Sequence, residues 1–210
     1  MSKVFFSVTT SLDGCIAPEF MQLGQPTEKW LDQWMELQKY VFQQRFFREN
    51  LKLGDGGETG RDNRILEETF NRTGASIMGK RMFDGGEHNW PEEAPFHTPV
   101  FVVTHEVRQP WDRPGGTTFY FVNDGIESAL HQARDAAGGR DVRIAGGADV
   151  IRQYLSAGLV DEFSLAVSPV LFGSGLRLFD GIDPRGIALE IVEAINSPLV
   201  THLNYAVHRK

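Results

Sequence analysis

The sequence predicts an α/β fold, a mostly parallel sheet flanked by helices and finished by antiparallel strands. Three observations carry that expectation. Strand-like and helix-like patterns alternate along most of the 210 residues. A strand passes straight into glycine and a helix at two places, Met78-Gly79-Lys80 and Ala145-Gly146-Gly147. From Glu162 onward only strand patterns remain. The chain shows no internal repeat, and its length fits one domain, residues 1–210, with an insertion or lid around residues 28–60.

Val4 to Thr10 combines β-branched and aromatic residues and runs into the turn Ser11-Leu12-Asp13-Gly14, so a first strand enters a loop there. The loop extends to Thr27, with Pro18 and Pro26 opposing a long helix and Thr27 able to cap the helix after it. From Glu28 to about Glu49, Trp30, Trp34, Leu37 and Val41 share one helical stripe, widened by Leu31, Met35, Phe42 and Phe46. Such aromatics belong to a core or to a substrate pocket, and the core is the economical reading. Gly54 to Gly60 is a flexible break.

Asp62 starts a second helix with Ile65, Leu66, Thr69 and Phe70, closed by Gly74 as a C′ glycine. Ala75 to Met78 is a short buried strand, and Gly79-Lys80-Arg81 opens the next helix with two cations. Asp84 to Pro99 is loop, packed down by Trp90. Strands follow at Val100–Thr104 and Thr118–Val122, then a helix from Asp124-Gly125 through Ala137. Asp141 to Ala145 leads to Gly146, where Val150, Ile151, Tyr154 and Leu155 take up helical spacing. A strand over Glu162–Leu171, a loop at Gly173-Ser174-Gly175 and two antiparallel strands, Leu189–Ile195 and Leu199–His208, complete the chain.

Composition narrows the partners. A net charge of −7 without a run of Lys or Arg opposes a nucleic-acid surface, which needs a local basic stripe to displace counterions. A small molecule is the expected partner. Cys15 is the sole cysteine, which excludes an intramolecular disulfide and a thiolate zinc cluster and suits a reducing compartment. With no signal-peptide apolar region and no stretch near the roughly 20 apolar residues of a membrane span, the protein reads as cytoplasmic. His88, His97, His105, His131, His202 and His208 show no paired ligand spacing, so no metal site is expected.

In open sheets of this type ligands lie beyond the carboxyl ends of the strands. Thr10 to Gly14, Gly79 to Arg81, Thr104-His105 and Gly146-Gly147 all fall at such ends. Glycine has no Cβ to obstruct a close-lying ligand, and the first amides of the following helix favour anions. On these residues alone the diglycine is open to two readings, an ordinary turn and a phosphate cradle.

The motifs SLDGCIA, MGKRMF, VVTH, IAGGADVI, LVDE and SPVLFGSG, in this order and spacing, resemble the dihydrofolate reductase superfamily, and more closely its branch containing the riboflavin-biosynthesis reductase domain. The resemblance runs from Ser11 to Val207 and is thin over residues 28–60. It implies an eight-stranded sheet that binds NADPH in an extended pose and delivers hydride to a pterin-like or ribosylaminopyrimidine-like molecule. By the same resemblance Gly14 and Ile16 would border the nicotinamide, with Ala17 in the same loop. Gly79, Lys80 and Arg81 would grip cofactor phosphate, Thr104 and His105 would face the adenosine side, and Gly146, Gly147, Ala148, Asp149 and Val150 would surround the pyrophosphate.

Two positions depart from the family pattern: Met82 stands where a threonine is usual, and Ala148 where a third glycine is common. Asp62 is the positional match for the acid that assists substrate protonation, and equally suits a helix N-cap worth about 1 kcal/mol. The deaminase signature with paired cysteines is absent. A homodimer through the terminal strands is implied by the resemblance. The functional alternatives are a non-catalytic nucleotide- or pterin-binding protein on the same fold and a ligand-free interaction scaffold.

Overall fold

A computed structural model describes residues 2–19, 21 and 28–210. Its centre is β1 (Val4–Thr10), which pairs in parallel with β7 (Asp141–Gly146) on one side and β8 (Glu162–Val167) on the other. Beyond β7 lie β3 (Thr73–Gly79), β4 (Val100–Val103), β6 (Thr117–Val122) and the short antiparallel edge β5 (Trp111–Arg113). Beyond β8 the sheet ends in the hairpin of β11 (Thr201–Arg209) and β10 (Ile187–Asn196), both antiparallel. The sheet therefore has nine strands in the order β10-β11-β8-β1-β7-β3-β4-β6-β5. The strand beyond the expected eight is β5, in a connection whose Pro and Gly content hid it; Trp111 stacks on Phe119 of β6 at 5.5 Å.

Alternation along the central strands divides the molecule. Val4 and Phe6 of β1 with Val142 and Ile144 of β7 face α5 (Ile126–Ala136) and α6 (Ala148–Ser156), burying Ala129, Leu130, Ala133, Ile151 and Leu155 in one core. Tyr154 is fully buried there, and its hydroxyl donates to the Ile126 carbonyl at 2.6 Å, so it brings no unpaired polar group inside. The opposite face carries α1 (Glu28–Phe42) and α3 (Arg61–Arg72): Arg72 lies 4.1 Å over Phe5, and Thr9 donates to Gln38 of α1 at 3.1 Å.

Several expectations change. The single helix over residues 28–49 is two, α1 and α2 (Arg45–Asn50), because the returning 54–60 loop takes the backbone groups at the break. Glu58 N–H donates to the Gln43 carbonyl at 2.7 Å and Arg45 N–H to the Glu58 carbonyl at 3.0 Å, so this loop is docked against the helices. Gly74 does stand at C′, after the C-cap Thr73, but not with the left-handed φ of a capping glycine: it already lies in β3, where a Cβ would meet the Ala137 carbonyl oxygen at 2.5 Å. The need is close approach of strand to the end of α5. Part of the long first loop forms β2 (Cys15–Pro18), paired with β9 (Gly175–Arg177). The strand from Glu162 ends at Val167, two residues before Pro169. The Thr27 cap lies outside the described residues. Among those described, no helix is long and apolar enough to cross a membrane.

Candidate active site

The two strand-glycine-helix turns face each other. β3 ends at Gly79 and enters α4 (Lys80–Glu87), and β7 ends at Gly146, one residue before the Gly147 cap of α6. A Cβ on Gly79 would lie 2.9 Å from Val150 Cγ2, so only glycine lets the two helix starts approach this closely. Neither helix has a side-chain N-cap. In α6 the first intrahelical bond runs from Ile151 N–H to the Gly147 carbonyl, which leaves the amides of Ala148, Asp149 and Val150 without a partner in the preceding turn. Gly146 adopts φ +128°, a conformation that favours glycine, and the Gly146–Gly147 peptide is cis. A Cβ on Gly147 would meet nothing within 4 Å. Open space over unsatisfied amides fits an anionic pyrophosphate.

Met82 takes part in this arrangement without a hydroxyl: its Sδ would be 3.3 Å from a Cβ on Gly146, so it backs the diglycine as packing. Lys80 points to the same region, with Nζ 2.6 Å from Asp84 Oδ1 and 3.2 Å from Glu106 Oε1. Hydrogen bonding to Asp84 in particular raises its pKa, so the ammonium is charged and shared between two acids. Arg81 donates to the Met21 carbonyl at 2.8 Å. Thr104 is buried, accepting from the Glu106 amide at 3.0 Å through its hydroxyl, and His105 beside it is exposed.

Gly79, Lys80, Arg81, Met82, Thr104, His105 and Gly146 to Val150 line one cavity of about 1360 Å³, and Gly14 stands apart from its wall. Gly14 has φ +81° and its carbonyl accepts from the Leu178 amide at 3.1 Å, while Ile16 and Ala17 of the same segment do face the cavity. The loop is fastened by Asp13, which accepts from the Ser11 hydroxyl at 2.6 Å and from the amides of Phe172 and Gly173 at 3.2 and 2.8 Å. These bonds, led by the Ser11 hydroxyl, pull its pKa down from 3.8 to about 2.

The far end of the cavity is aromatic. Trp30, Trp34 and Phe42 of α1, Phe47 of α2 and Phe70 of α3 line it. The economical core assignment of the α1 stripe is thus incomplete: Leu37 is fully buried, whereas Trp34 turns to the cavity. Polar groups reach this end from the sheet and α1, namely Ser7, Thr9, Gln38, Tyr40 and Arg143. Burial pushes the Tyr40 hydroxyl up to about 12, so it stays protonated as a donor.

Asp62 is not part of this wall. It is the second residue of α3, whose N-cap is Gly60, so Asp62 does not cap the helix. Its buried carboxylate accepts from His202 Nε2 at 2.8 Å and from the Ser197 hydroxyl, both contributed by the terminal hairpin. The acids that do line the cavity, Glu19, Glu106 and Asp149, are bonded to Ser174, Lys80 and Arg152 respectively.

Sequence reasoning missed Arg143, Tyr40 and Gln38. For Arg143 a signal existed: Val142 and Ile144 point to the core, so a charge between them on a central strand had to face the other layer. Among the described residues no group of three His, Cys, Asp or Glu side chains is placed to hold a metal ion.

Residues 2–201 match the model of the RibD C-terminal domain family. Two curated proteins of Bacillus subtilis (strain 168), the uncharacterized proteins YyaP and YwjB, are 37% and 34% identical over 65 and 59 residues, 31% and 28% of this chain. Each match spans about a third of the relative's length, 34% and 33%. Among solved structures, a Shewanella sp. PV-4 protein provisionally assigned to riboflavin biosynthesis aligns over 99% of both chains with a TM-score of 0.65 at 21% identity. Acinetobacter baumannii RibD aligns over 99% of this chain and 58% of its own, TM-score 0.61 and 16% identity. Enterococcus faecalis dihydrofolate reductase, solved with NADP(H) and RAB-propyl, aligns over 99% and 96%, TM-score 0.55 and 14% identity. These likenesses concern the fold.

Proposed function

Because the chain belongs to the RibD C-terminal domain family, we propose that it is an NADPH-dependent oxidoreductase of the cytoplasm acting on a pterin-like or ribosylaminopyrimidine-like small molecule. One observation carries this reading: two uncapped helix starts meet across Gly79 and Val150 at one end of a cavity whose other end is aromatic. A dinucleotide and a planar heterocycle are the ligands such a cavity suits. Bound NADPH would supply the hydride.

The chain's own residues bind and orient. The amides of Ala148, Asp149 and Val150 would receive the pyrophosphate over Gly147, and Lys80 and Arg81 would add charge-assisted contacts, Lys80 leaving its carboxylate partners to do so. Thr104 and His105 would face the adenosine, and Ile16 and Ala17 the nicotinamide. Trp30, Trp34 and Phe42 would stack the acceptor ring and exclude water. Tyr40, which lines the cavity and keeps its proton, would be a donor to the acceptor ring there, while the Asp62 carboxylate is engaged by the hairpin. Residues 28–60 would act as the substrate-side wall, and the exposed apolar residues Leu189, Ile191 and Val192 on the edge strand β10 suit a homodimer interface.

Titration with NADPH, read by tryptophan fluorescence and thermal shift, tests the cofactor; no response at millimolar NADPH would remove this reading. Single-turnover oxidation of bound NADPH across a panel of pterins and ribosylaminopyrimidines tests the chemistry. Saturable binding without hydride transfer to any of them would leave a nucleotide- or pterin-binding protein on the same fold.

A further inference from the structure

Arg143 stands out among the cavity's cations. Lys80 and Arg81, at the dinucleotide end, are both engaged by protein oxygens. Arg143 comes up from β7 beneath α1 and α3, and its guanidinium lies 4.8 Å over the Phe70 ring, with no ion pair or hydrogen bond to that group among the described residues. Its Nε is buried and unpaired. Burial lowers its pKa to about 10, which still leaves it charged at neutral pH. A second orphan donor, the buried Asn50 Nδ2, lines the same cavity.

Among the described residues the Arg143 Nε has no acceptor in the interior, and the one described contact of the guanidinium is with the Phe70 ring, so its hydrogen-bonding capacity toward the cavity is unspent. A guanidinium is a planar fork that matches a carboxylate or phosphate through two parallel bonds. The choice between these anions follows from charge. Around Arg143 the wall is aromatic or neutral, and no other described cation lines this end of the cavity. A carboxylate would be balanced one to one, whereas a phosphate dianion would carry an uncompensated charge into an apolar compartment.

We propose that Arg143 is a specificity residue that receives a carboxylate of the ligand at the aromatic end of the cavity, between α1 and α3. The assignment rests on the reading of this cavity as the substrate site and names a feature of that substrate: an aromatic or heteroaromatic body bearing a monoanionic carboxylate.

The test uses three fragments, benzoate, benzamide and phenyl phosphate, titrated into the full chain with tryptophan fluorescence as readout, since Trp30 and Trp34 line the compartment. Wild type should bind benzoate at least tenfold more tightly than the isosteric neutral benzamide, and phenyl phosphate no more tightly than benzoate. In Arg143→Met the benzoate preference should vanish while benzamide affinity stays. Equal affinities for benzoate and benzamide in wild type overturn the proposal without recourse to any variant. A benzoate preference that survives in Arg143→Met overturns it as well, and phenyl phosphate binding tenfold tighter than benzoate overturns the carboxylate assignment. NADPH titrated into the same wild-type sample separates the two readings: failure of NADPH to bind beside an intact, Arg143-dependent benzoate preference sinks the reductase and supports the carboxylate site.

Discussion

His202 Nε2 lies 2.8 Å from Asp62 Oδ1 in the interior, joining the second residue of α3 to β11 across 140 positions of sequence. Ser197, in the turn of the same hairpin, holds the other carboxylate oxygen. The pair fixes the sheet's antiparallel edge to the helix that walls the cavity.

Asp62→Ala should therefore act on stability. It leaves a buried imidazole and a hydroxyl without their acceptor, a loss of about 3 kcal/mol in urea unfolding. NADPH oxidation by the remaining folded protein should be unchanged. A collapse of kcat at unchanged stability would instead put Asp62 in the chemistry.

Lys80→Glu should weaken NADPH by about tenfold or more and NADH far less, since the cation answers the additional phosphate. Dissociation constants for the two cofactors measured side by side decide it; equal losses would mean that Lys80 does not read that phosphate.

Gly146→Ala should cost roughly 1–3 kcal/mol, because φ +128° is strained for any L side chain, and the new Cβ would press on Met82 Sδ at 3.3 Å. NADPH affinity should fall with it. A variant that melts like wild type and binds NADPH normally would contradict the cradle.

Asp13 sets an acid limb. Its folded pKa, about 2, lies below its ordinary 3.8, so its contribution to stability is full above pH 4 and is lost as pH falls through that interval toward 2. Asp13→Asn should flatten the stability profile between about pH 4 and 2 relative to wild type. Parallel profiles would show that the loop tie contributes nothing.

Ile191 and Val192 on the edge strand are 67% and 64% exposed, enough to make β10 a sticky edge. Sedimentation should find a dimer that Ile191→Lys dissociates. A wild-type monomer at all concentrations would discard the interface.

What the sequence determined by itself was local. The turns at Gly79 and Gly146, the order of strands and helices, and the Asp13 loop are written in contiguous residues, where hydrophobic period and glycine placement act over a single turn or strand. The break between α1 and α2 was not legible, because Glu58, some 14 positions on, supplies the bonds that interrupt the helix. Asp62 looked like a cap or an acid for the same reason: its partners His202 and Ser197 are 140 and 135 residues away and meet it only once the sheet order is set. Tertiary structure also decided which side of α1 meets the cavity and that Arg143 has no counter-charge there among the described residues. A residue's type fixes what it can bond; the parallel ordering of distant strands fixes whether anything is there to receive the bond.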